Sequence, residues 1–510
     1  MDESLSEPNA VPTAETPSAV TTPAPMPARP FILRRFVNWL KYWWHEAWSD
    51  ERHAIQIIVA LACLFVSISI GYAYANEIFV QGWQLWVWLI CCVIIVAFLI
   101  PPSRPKIKTD RLVMSLIVVA LVGLLLRAVF LETIPGGLHP DETGTAGFTM
   151  EHVYSRTDHT LSPFVVSPGS HPTLYHYTIK LFMTVFGYTI SGVRSSSVFA
   201  GTLAILATFA VVAVFQNRRV ALIAAILMAT YHYDIHWSRL ALNNIWDTLW
   251  IPLALAAYAW GWKNKWSGGA VIAGAAIGLG EYFYQGGRVG VLLLVFVVIG
   301  LWWKERDSRR LMIHVGKMTL IALCIAAPLF LFALRNPDPF LERFRTVYGW
   351  RPEVIQEITG SPTDYLDFAW YQAWRSFGAY TAVPDITGFY GPEVPLTFGL
   401  AAPLLIVGFF WAIYKKQYLP SLWLFIVTIL GGFMLAGAPS SSHYVASIPA
   451  IVWLIAISLD WFIEHRHSRL AIALLVIIMA TDLIFYFGIY VPSHPRDLIH
   501  AFPVIPPPTS

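Results

Sequence analysis

Long apolar segments separated by short polar ones run through most of the chain. A membrane-spanning helix needs roughly 20 apolar residues, and thirteen segments reach or approach that length. The pattern therefore predicts an all-α polytopic membrane protein with about thirteen transmembrane helices. They are predicted at residues 54–75, 85–100, 112–131, 193–215, 220–233, 245–262, 269–283, 288–303, 312–334, 396–414, 418–437, 445–462 and 470–490.

Lysine and arginine cluster in alternate connecting segments, such as "KERDSRR" at 304–310 and "YKK" at 414–416. Short cytoplasmic loops carry an excess of these residues, so the N terminus is predicted to be cytoplasmic. Two segments on the opposite side are long, at 132–192 and 335–395. Long ordered loops on a rigid scaffold are where binding and catalysis usually occur, and the two loops are therefore the expected functional regions.

The remaining segments are assigned by composition. Residues 1–30 are rich in Pro, Ala and Thr, which predicts a disordered cytoplasmic tail. Residues 31–53 mix aromatic and basic side chains, which favours an amphipathic interfacial segment and equally fits a plain cytoplasmic flank. Two additional transmembrane helices are predicted within 54–111. The predicted catalytic core follows at 112–334 and includes the first external loop at 132–192. The second external loop at 335–395, further transmembrane helices at 396–490 and an external tail at 491–510 complete the chain.

Composition supports a lipid-solvated protein. The 510 residues are 56% hydrophobic and only 13% charged, against about 25% charged in soluble domains. The 22 tryptophans are typical of the aromatic belts at membrane interfaces. The net charge of +3 gives no reason to expect a nucleic-acid partner. The four cysteines lie in apolar runs without metal-binding spacing, so neither a disulfide framework nor a metal site is predicted.

The first external loop carries the candidate catalytic acids. The stretch "IPGGLHPDETG" at 134–144 contains two adjacent carboxylates, Asp141 and Glu142, directly after His139. A carboxylate near the membrane boundary is partly desolvated, which raises its basicity and suits it to act as a general base. A pair of ordinary solvated loop acids is the alternative interpretation. The same loop adds further polar and aromatic candidates, namely His171, Tyr175, His176 and Lys180.

Three further turns are predicted to meet the same face of the membrane. They are "YHYDIHWSRLALNNIWD" at 231–247, "GEYFYQGGRVG" at 280–290 and "APSSSHYVASIP" at 438–449. Polar groups at bilayer depth are costly unless they face a cavity or one another. The polar and charged side chains of these turns suit a substrate with a lipid tail and an anionic head. A purely structural network of the same side chains is the alternative interpretation. Arg194, at the outer start of the fourth predicted span, is a further candidate. The candidates in the three turns are Arg239, Asn244, Glu281, Tyr282, Tyr284, Arg288, His443 and Tyr444.

The motifs, in this order, resemble the C superfamily (GT-C) of membrane glycosyltransferases over roughly residues 110–460. They are most similar to its protein O-mannosyltransferase and aminoarabinose-transferase branch, which uses polyprenyl-phosphate sugars. The resemblance implies an inverting sugar transfer on the extracytoplasmic face, without a nucleotide sugar or other cofactor and without an essential metal. The implied partners are the lipid-linked sugar, membrane lipids and a protein, lipid or glycan acceptor. The implied location is a bacterial plasma membrane.

The resemblance also implies roles for individual residues. Asp141 matches the family's catalytic base, and Glu142 would orient it or contact the sugar. The donor phosphate would be bound chiefly by Arg239 and Arg288, with Lys180, Arg194 and His443 as further candidates. Apart from the resemblance, the length and aromatic content of the second external loop, 335–395, predict that it selects the acceptor or gates the site. The sugar or acceptor would be contacted by His139, His171, Tyr175, Asn244, Glu281, Tyr282, Tyr284 and Tyr444.

Other functions remain open at this point. A transporter or flippase of a polyprenyl-linked sugar would use the same polar groups for binding alone. A metal-dependent transferase resembling oligosaccharyltransferases would use His139, Asp141, Glu142 and His171 as ligands. A purely structural scaffold explains the hydrophobicity but not the converging charges.

Overall fold

The computed structural model describes residues 51–74, 79–80, 83–103, 105, 110–154, 160–167, 171–385, 387–391 and 393–494. The tail predicted at 1–30, nearly all of the amphipathic segment predicted at 31–53, and residues 495–510 lie outside the described residues. Two compact units, Met1–Ile57 and Ile58–Ser510, are distinguished. The first is described only from Glu51, where a helix begins, and every site discussed below lies in the second.

The described chain is almost entirely helical. Its first half contains α1 Glu51–Tyr74, α2 Trp83–Leu99, α3 Arg111–Ala128, α4 Pro140–Thr149, α5 Leu174–Phe186, α6 Ile190–Phe215, α7 Arg218–Thr230, α8 His232–Ser238 and α9 Asp247–Lys263. Four two-residue strands form two antiparallel pairs. They are β1 Phe79–Val80 with β2 Thr160–Leu161, and β3 Val166–Ser167 with β4 His171–Pro172.

The second half continues the helical pattern. The segment 335–395, predicted as the second external loop, is not irregular, because it contains three helices of its own, α13 to α15. The helices are α10 Gly268–Gly280, α11 Arg288–Glu305, α12 Ser308–Arg335, α13 Pro337–Val347, α14 Pro352–Thr359, α15 Tyr365–Gly378, α16 Ala401–Tyr414, α17 Tyr418–Thr428, α18 Ser441–Tyr444, α19 Ile448–Glu464, α20 Ser468–Leu483 and α21 Val491–Ser493.

The predicted all-α polytopic class is confirmed. Each apolar segment predicted to span the membrane overlaps an observed helix. The helices α17 and α20 stop short of the predicted ends, and the π-helical segments Ile429–Phe433 and Ile484–Tyr490 continue them. Among the described residues, seven helical segments are both long enough and apolar enough to cross a membrane, and four shorter apolar helices accompany them. The count of about thirteen crossings, and the domain limits drawn from it, stay predictions.

Several helices begin where a short polar side chain precedes an apolar run. Asp110 accepts a hydrogen bond from the Leu112 amide at 3.1 Å at the start of α3. Thr189 accepts one from the Gly192 amide at 3.1 Å at the start of α6. Such caps satisfy amide groups that have no partner within the first turn of a helix, so these boundaries follow directly from the local sequence.

Burial separates the central helices from the peripheral ones. In the apolar window of the segment that includes α18 and α19, 83% of residues are buried, against 11% in α3. The exposed side of α3 carries Met114, Val118 and Leu125. Lipid is as apolar as these side chains, so the exposed stripe is the lipid-facing side. The core therefore lies around α19, and the candidate residues lie at the ends of the helices that surround it.

Candidate active site

Asp141 lies in the first turn of α4, which has a strongly defined start. Pro140 occupies the first helical position, where its fixed φ is favourable, and the Asp141 amide donates to Nδ1 of His139 at 3.1 Å. In return, Glu142 Oε2 accepts from the His139 amide at 2.9 Å, a reciprocal capping arrangement. The Asp141 side chain is exposed whereas Glu142 is buried. One helical turn thus presents one carboxylate outward and the other inward.

Glu142 is held inside the protein by Arg194 of α6. Nε of Arg194 donates to Oε1 at 2.9 Å, Nη2 donates to Oε2 at 3.1 Å, and the Ala241 amide donates to Oε1 at 2.8 Å. Burial acts to raise the pKa of Glu142, but the Arg194 charge and the hydrogen bonds outweigh it, so the pKa is lowered. Glu142 is therefore ionised at neutral pH, and the pair fixes α4 to α6.

Arg194 also fixes the loop that leads to α4. Its guanidinium donates to the carbonyls of Leu131 at 3.1 Å, Pro135 at 3.0 Å and Gly137 at 2.6 Å. The side chain is fully buried. Together with the two hydrogen bonds to Glu142, these contacts direct the guanidinium donors of Arg194 at groups of the protein itself. The structure therefore places Arg194 in a positioning network rather than in a cavity.

Arg239, a leading phosphate candidate from the sequence, is likewise directed at the backbone. Its Nε donates to the Ile134 carbonyl at 3.0 Å, Nη1 to Leu126 at 2.7 Å and Nη2 to Val129 at 2.7 Å. These carbonyls lie at and just after the C-terminal end of α3, where a cation is favourable. The side chain is fully buried, and the structure does not bring it to the cavity described below.

Four other predicted candidates also engage backbone carbonyls instead of a cavity. Burial lowers the pKa of the Lys180 ammonium. A fifth candidate, Tyr175, packs edge-on against the Phe283 ring. Each of the four donates a hydrogen bond to a carbonyl: Lys180 to Val153 at 2.8 Å, Asn244 to Ser442 at 3.0 Å, Tyr282 to Ile325 at 2.9 Å and Tyr444 to Ser376 at 3.0 Å.

A cavity of about 920 Å³ gathers five of the remaining candidates, although neither Asp141 nor His139 lines it. It lies between α10, α11, α12, α13 and α17 and reaches the start of α18. Most of its wall is apolar, with residues such as Leu292, Leu323, Phe330, Phe344 and Leu430. Five polar residues predicted from the sequence line it, namely His171, Glu281, Tyr284, Arg288 and His443. Three other polar residues, Gln285, Thr319 and Arg343, join them.

Arg288 and Glu281 form an ion pair in the wall of this cavity. Nε of Arg288 lies 3.1 Å from Oε2 of Glu281, and the guanidinium lies over the Phe340 ring at 5.0 Å. The Arg288 side chain keeps 40% of its surface exposed, against 9% for Glu281. Arg288 can therefore bind an anion within the cavity while Glu281 fixes its position.

His171 lines the cavity and lies within electrostatic range of Asp141. Burial is the main reason that the pKa of His171 falls to about 4, the Arg343 charge lowers it further, and the Asp141 charge opposes the shift. His171 is therefore neutral at pH 7. Nδ2 of Asn243 lies 3.2 Å from its Nδ1 and also donates to the Phe283 carbonyl at 2.7 Å. Because the Asn243 amide is the donor, the His171 ring carries its proton on Nε2.

His139 is fixed from the second external loop. Its ring stacks on Phe389 with the ring centroids 4.8 Å apart, and the Phe389 carbonyl lies 3.0 Å from Nε2 of His236. Since His139 is also the N-terminal cap of α4, this contact helps to set the position of Asp141. The loop at 335–395 thus contacts the acid-bearing helix through its last part.

Arg343 was missed by sequence reasoning, although a signal for it exists. In "PDPFLERFRTV" of α13, Phe340, Phe344 and Val347 recur at helical spacing, which predicts one apolar face. All three line the cavity together with Arg343, whereas the neighbouring Arg345 pairs with Asp338 at 2.7 Å. The amphipathic pattern of α13 was therefore sufficient to place Arg343 beside the apolar face.

The alternative metal site has little support from the geometry. Within the part of the chain that the structure describes, no three His, Cys, Asp or Glu side chains are placed to hold a metal ion together. Two of the four proposed ligands have other roles, since Glu142 pairs with Arg194 and Nδ1 of His139 caps α4.

The placement of Arg239 leads to a first prediction. Arg239→Gln should lower the thermal stability of the protein, because up to three buried carbonyls lose a charged donor, and such bonds contribute about 1.5–3 kcal/mol each. The affinity of the Arg239→Gln variant for a phosphate-bearing ligand should remain close to that of the wild type. Thermal unfolding and ligand titration of the same preparation would test this. An unchanged unfolding temperature with lost affinity would contradict the structural placement.

The matching family model is described as dolichyl-phosphate-mannose-protein mannosyltransferase and covers residues 170–332, about a third of the chain. The matched part contains His171, Glu281 and Arg288. It begins after Asp141 and ends before Arg343. Among curated proteins, none matches the chain.

Solved structures give low-identity matches. ArnT from Cupriavidus metallidurans bound to undecaprenyl phosphate is 18% identical with a TM-score of 0.48, over 73% of this chain and 62% of that one. The archaeal oligosaccharyltransferase AglB from Archaeoglobus fulgidus, in complex with an inhibitory peptide and a dolichol-phosphate, is 15% identical with a TM-score of 0.44, over 76% and 56%. The S. cerevisiae Pmt1-Pmt2 complex bound to the sugar donor is 15% identical with a TM-score of 0.36, over 50% and 38%.

The chain therefore spans little more than half the length of the archaeal oligosaccharyltransferase that it matches. The family resemblance predicted from the order of the motifs is confirmed by the family model: over residues 170–332, the chain matches the dolichyl-phosphate-mannose-protein mannosyltransferase family of glycosyltransferases.

Proposed function

We propose that the protein is an inverting membrane glycosyltransferase. It transfers a hexose or pentose from a polyprenyl-phosphate donor to a hydroxyl acceptor on the extracytoplasmic face, with Asp141 as the general base. The observation that carries the proposal is the large apolar cavity whose polar lining includes Arg288 and Arg343. The family match over residues 170–332 supports the same donor chemistry.

The cavity suits both parts of such a donor. Apolar pocket walls with a few placed polar groups are typical of sites that bind amphipathic ligands, and residues such as Leu292 and Leu323 would contact the polyprenyl chain. Guanidinium groups match the geometry of phosphate oxygens. Arg288 and Arg343 would therefore bind the phosphate, while His443 and Tyr284 line the same cavity.

Asp141 would act on the acceptor. Its exposed carboxylate takes the proton of the acceptor hydroxyl as that oxygen attacks the anomeric carbon. The new glycosidic bond forms as the bond from the anomeric carbon to the phosphate oxygen breaks, and the electron pair leaves with the polyprenyl phosphate. A phosphate leaves without protonation, so one carboxylate is sufficient, in contrast to the paired acids of glycoside hydrolases.

The cations of the cavity would stabilise the departing phosphate. Negative charge on the phosphate oxygens increases as the bond breaks, and fixed donors aimed at that charge lower the barrier. Arg288 and Arg343 provide the positive charge. His171, neutral and with its proton on Nε2, provides an uncharged donor between the cavity and Asp141.

Glu142 and Arg194 would act as positioning residues rather than sugar or phosphate ligands. Both side chains are fully buried, and their hydrogen bonds hold α4 and the loop before it. The second external loop would serve the donor as well as the acceptor, because α13 contributes Phe340, Arg343 and Phe344 to the cavity. Acceptor selection would then fall to the rest of that loop.

A charge-removing substitution on α13 tests the phosphate assignment. Arg343→Gln should reduce turnover by about 10²–10³-fold, the usual cost of losing one such donor, and should also weaken donor binding. Arg345→Gln is the matched control, since Arg345 lies on the same helix, is paired with Asp338 and is 60% exposed. Equal losses in both variants, or none in Arg343→Gln, would contradict the assignment.

The proposed activity is tested with the purified protein in lipid nanodiscs. A panel of polyprenyl-phosphate sugars is supplied together with cell-envelope acceptors, and release of free polyprenyl phosphate is measured with and without a chelator. Release with one donor, unaffected by the chelator, supports the proposal and identifies the sugar. Release that stops with the chelator would indicate a metal-dependent transferase. Binding and transbilayer movement of the donor without release would indicate a transporter.

A further inference from the structure

A second, smaller cavity lies at the other end of α11. It has a volume of about 290 Å³. The α11 helix has 18 residues, so its two ends are about 27 Å apart. The start of α11 lines the larger cavity described above, and the second cavity lies just beyond its end. The positive-inside rule places this end of the bundle at the cytoplasmic leaflet. The lining residues are Pro101, Ser103, Lys265, Trp266, Ser267, Asp307, Arg309, Arg310, Ile313 and His314.

The charge of this cavity is predominantly positive. Three of its lining residues are basic, Lys265, Arg309 and Arg310, and one is acidic, Asp307. Arg310 is also paired with Glu305, so the excess positive charge comes from Lys265 and Arg309. The Asp307 carboxylate is engaged at the start of α12, where Oδ1 accepts from the Arg310 amide at 3.0 Å and Oδ2 lies 3.7 Å from Arg310 Nε. The N-terminal end of a long helix adds further positive potential.

His314 provides an independent indication of a ligand. Only 2% of its surface is exposed, and its Nδ1 atom is buried without a hydrogen-bond partner in the described part of the chain. The ring is fixed edge-on against Trp262, with the centroids 5.4 Å apart. Buried polar atoms in proteins are nearly always hydrogen-bonded, so an unpartnered nitrogen in the wall of a basic cavity points to a ligand atom that accepts or donates a hydrogen bond there.

We propose that this cavity binds the phosphate group of an anionic phospholipid from the cytoplasmic leaflet. Basic pockets between transmembrane helices on that side bind phospholipid headgroups in other membrane proteins. Lys265 and Arg309 attract the anion, and His314 donates from Nδ1 to a phosphate oxygen. Pro101, Trp266 and Ile313 line the less polar part of the cavity. The site is separate from the donor cavity, the cavity of about 920 Å³ proposed above to bind the polyprenyl-phosphate donor. The proposal does not depend on the glycosyltransferase activity.

Lipid retention tests the proposal. The full-length protein, transferred from nanodiscs containing phosphatidylglycerol and phosphatidylcholine, is examined by native mass spectrometry for bound lipid. The wild type should retain phosphatidylglycerol preferentially. The double variant Lys265→Gln/Arg309→Gln should bind it about 30-fold more weakly, since each basic residue contributes about 1 kcal/mol near a membrane surface and 1.4 kcal/mol corresponds to tenfold.

The matched control is Lys304→Gln/Arg306→Gln, which removes two charges at the end of α11, close in sequence to Arg309, without changing a residue of the cavity lining. It should retain phosphatidylglycerol like the wild type. Equal retention of the two lipids by the wild type, or equal losses in both double variants, would overturn the proposal. His314→Leu should also weaken retention, and thermal unfolding would verify that each variant is folded; a folded His314→Leu protein with unchanged retention would overturn the role of His314.

Competition distinguishes the source of the phosphate group. Inorganic phosphate at millimolar concentration, added before the measurement, should displace phosphatidylglycerol if the site recognises the phosphate alone. Retention of the lipid under these conditions shows that the acyl or glycerol part contributes as well. In both cases the loss caused by Lys265→Gln/Arg309→Gln must persist.

Discussion

Asp141→Asn is expected to reduce turnover by about 10²–10⁴-fold, the usual contribution of a general base, while donor affinity stays unchanged. Asparagine preserves the size of the side chain and the cap at His139, but it cannot accept the proton of the acceptor hydroxyl. Release of polyprenyl phosphate under saturating donor gives the rate, and a donor titration gives the affinity.

Glu151→Gln is the control for this substitution. Glu151 belongs to the same predicted external segment, is 67% exposed and, among the described residues, has an ion-pair contact with His152 at 3.8 Å. It should turn over donor at the wild-type rate. If Asp141→Asn were as active as wild type, Asp141 would have no part in the chemistry. If it also lost donor binding, its main role would be structural.

Glu142→Gln is expected to lower the free energy of unfolding by about 3–5 kcal/mol, the typical cost of removing one partner from a buried ion pair. The substitution leaves the Arg194 guanidinium buried without its carboxylate. Because the pair fixes α4, turnover should fall together with stability. Thermal or denaturant unfolding of the nanodisc-purified protein would measure the loss.

The double variant Glu142→Leu/Arg194→Met separates charge from packing. Replacing both members removes the unpaired buried charge, but the carbonyls of Leu131, Pro135 and Gly137 also lose their Arg194 donor. The variant should therefore be less stable than the wild type, with a loss smaller than the sum of the losses in Glu142→Leu and Arg194→Met. A loss in the double variant equal to the sum of the losses in the two single variants would contradict the assigned role of the ion pair.

The ion pair should also make stability depend on pH. The folded protein lowers the pKa of Glu142 below its ordinary value of 4.5, so its stabilisation is complete above that value. It is lost as the pH falls below 4.5 through the folded pKa. The unfolding temperature of the wild type should therefore decrease more steeply below pH 4.5 than that of the double variant. Parallel curves would show that Glu142 contributes no such linkage.

The sequence predicted the helices well because a lipid-facing or buried membrane helix must be apolar over most of its length. Caps such as Asp110 and Thr189 are also local signals. One predicted helix, at 220–233, is observed as parts of two helices, because α7 ends at Thr230 and α8 begins at His232. Apolar and aromatic side chains continue across this break, so hydropathy alone does not reveal it.

The sequence predicted the composition of the site better than its geometry. It selected Arg288 and Arg239 equally, yet only Arg288 reaches the cavity. The difference lies in the carbonyls that Arg239 contacts, which come from residues more than 100 positions earlier, and nothing near Arg239 in the sequence indicates them. The inward direction of Glu142 depends in the same way on Arg194.

The second external loop shows what local patterns can still provide. It was predicted as an acceptor-selecting segment from its length and aromatic content. The structure shows three helices in it, and α13 contributes Arg343 to the donor cavity. The helical spacing of Phe340, Phe344 and Val347 was visible in the sequence, but the partner of that apolar face is formed by α11, α12 and α17, whose arrangement is a tertiary property.

The most direct test of the account is a structure of the nanodisc-embedded protein with bound polyprenyl phosphate. We expect the phosphate within hydrogen-bonding distance of Arg288 and Arg343, with the lipid chain along the apolar wall at Leu292 and Leu323. A phosphate bound elsewhere, with this cavity occupied by no part of the lipid, would contradict the proposed donor site and with it the proposed mechanism.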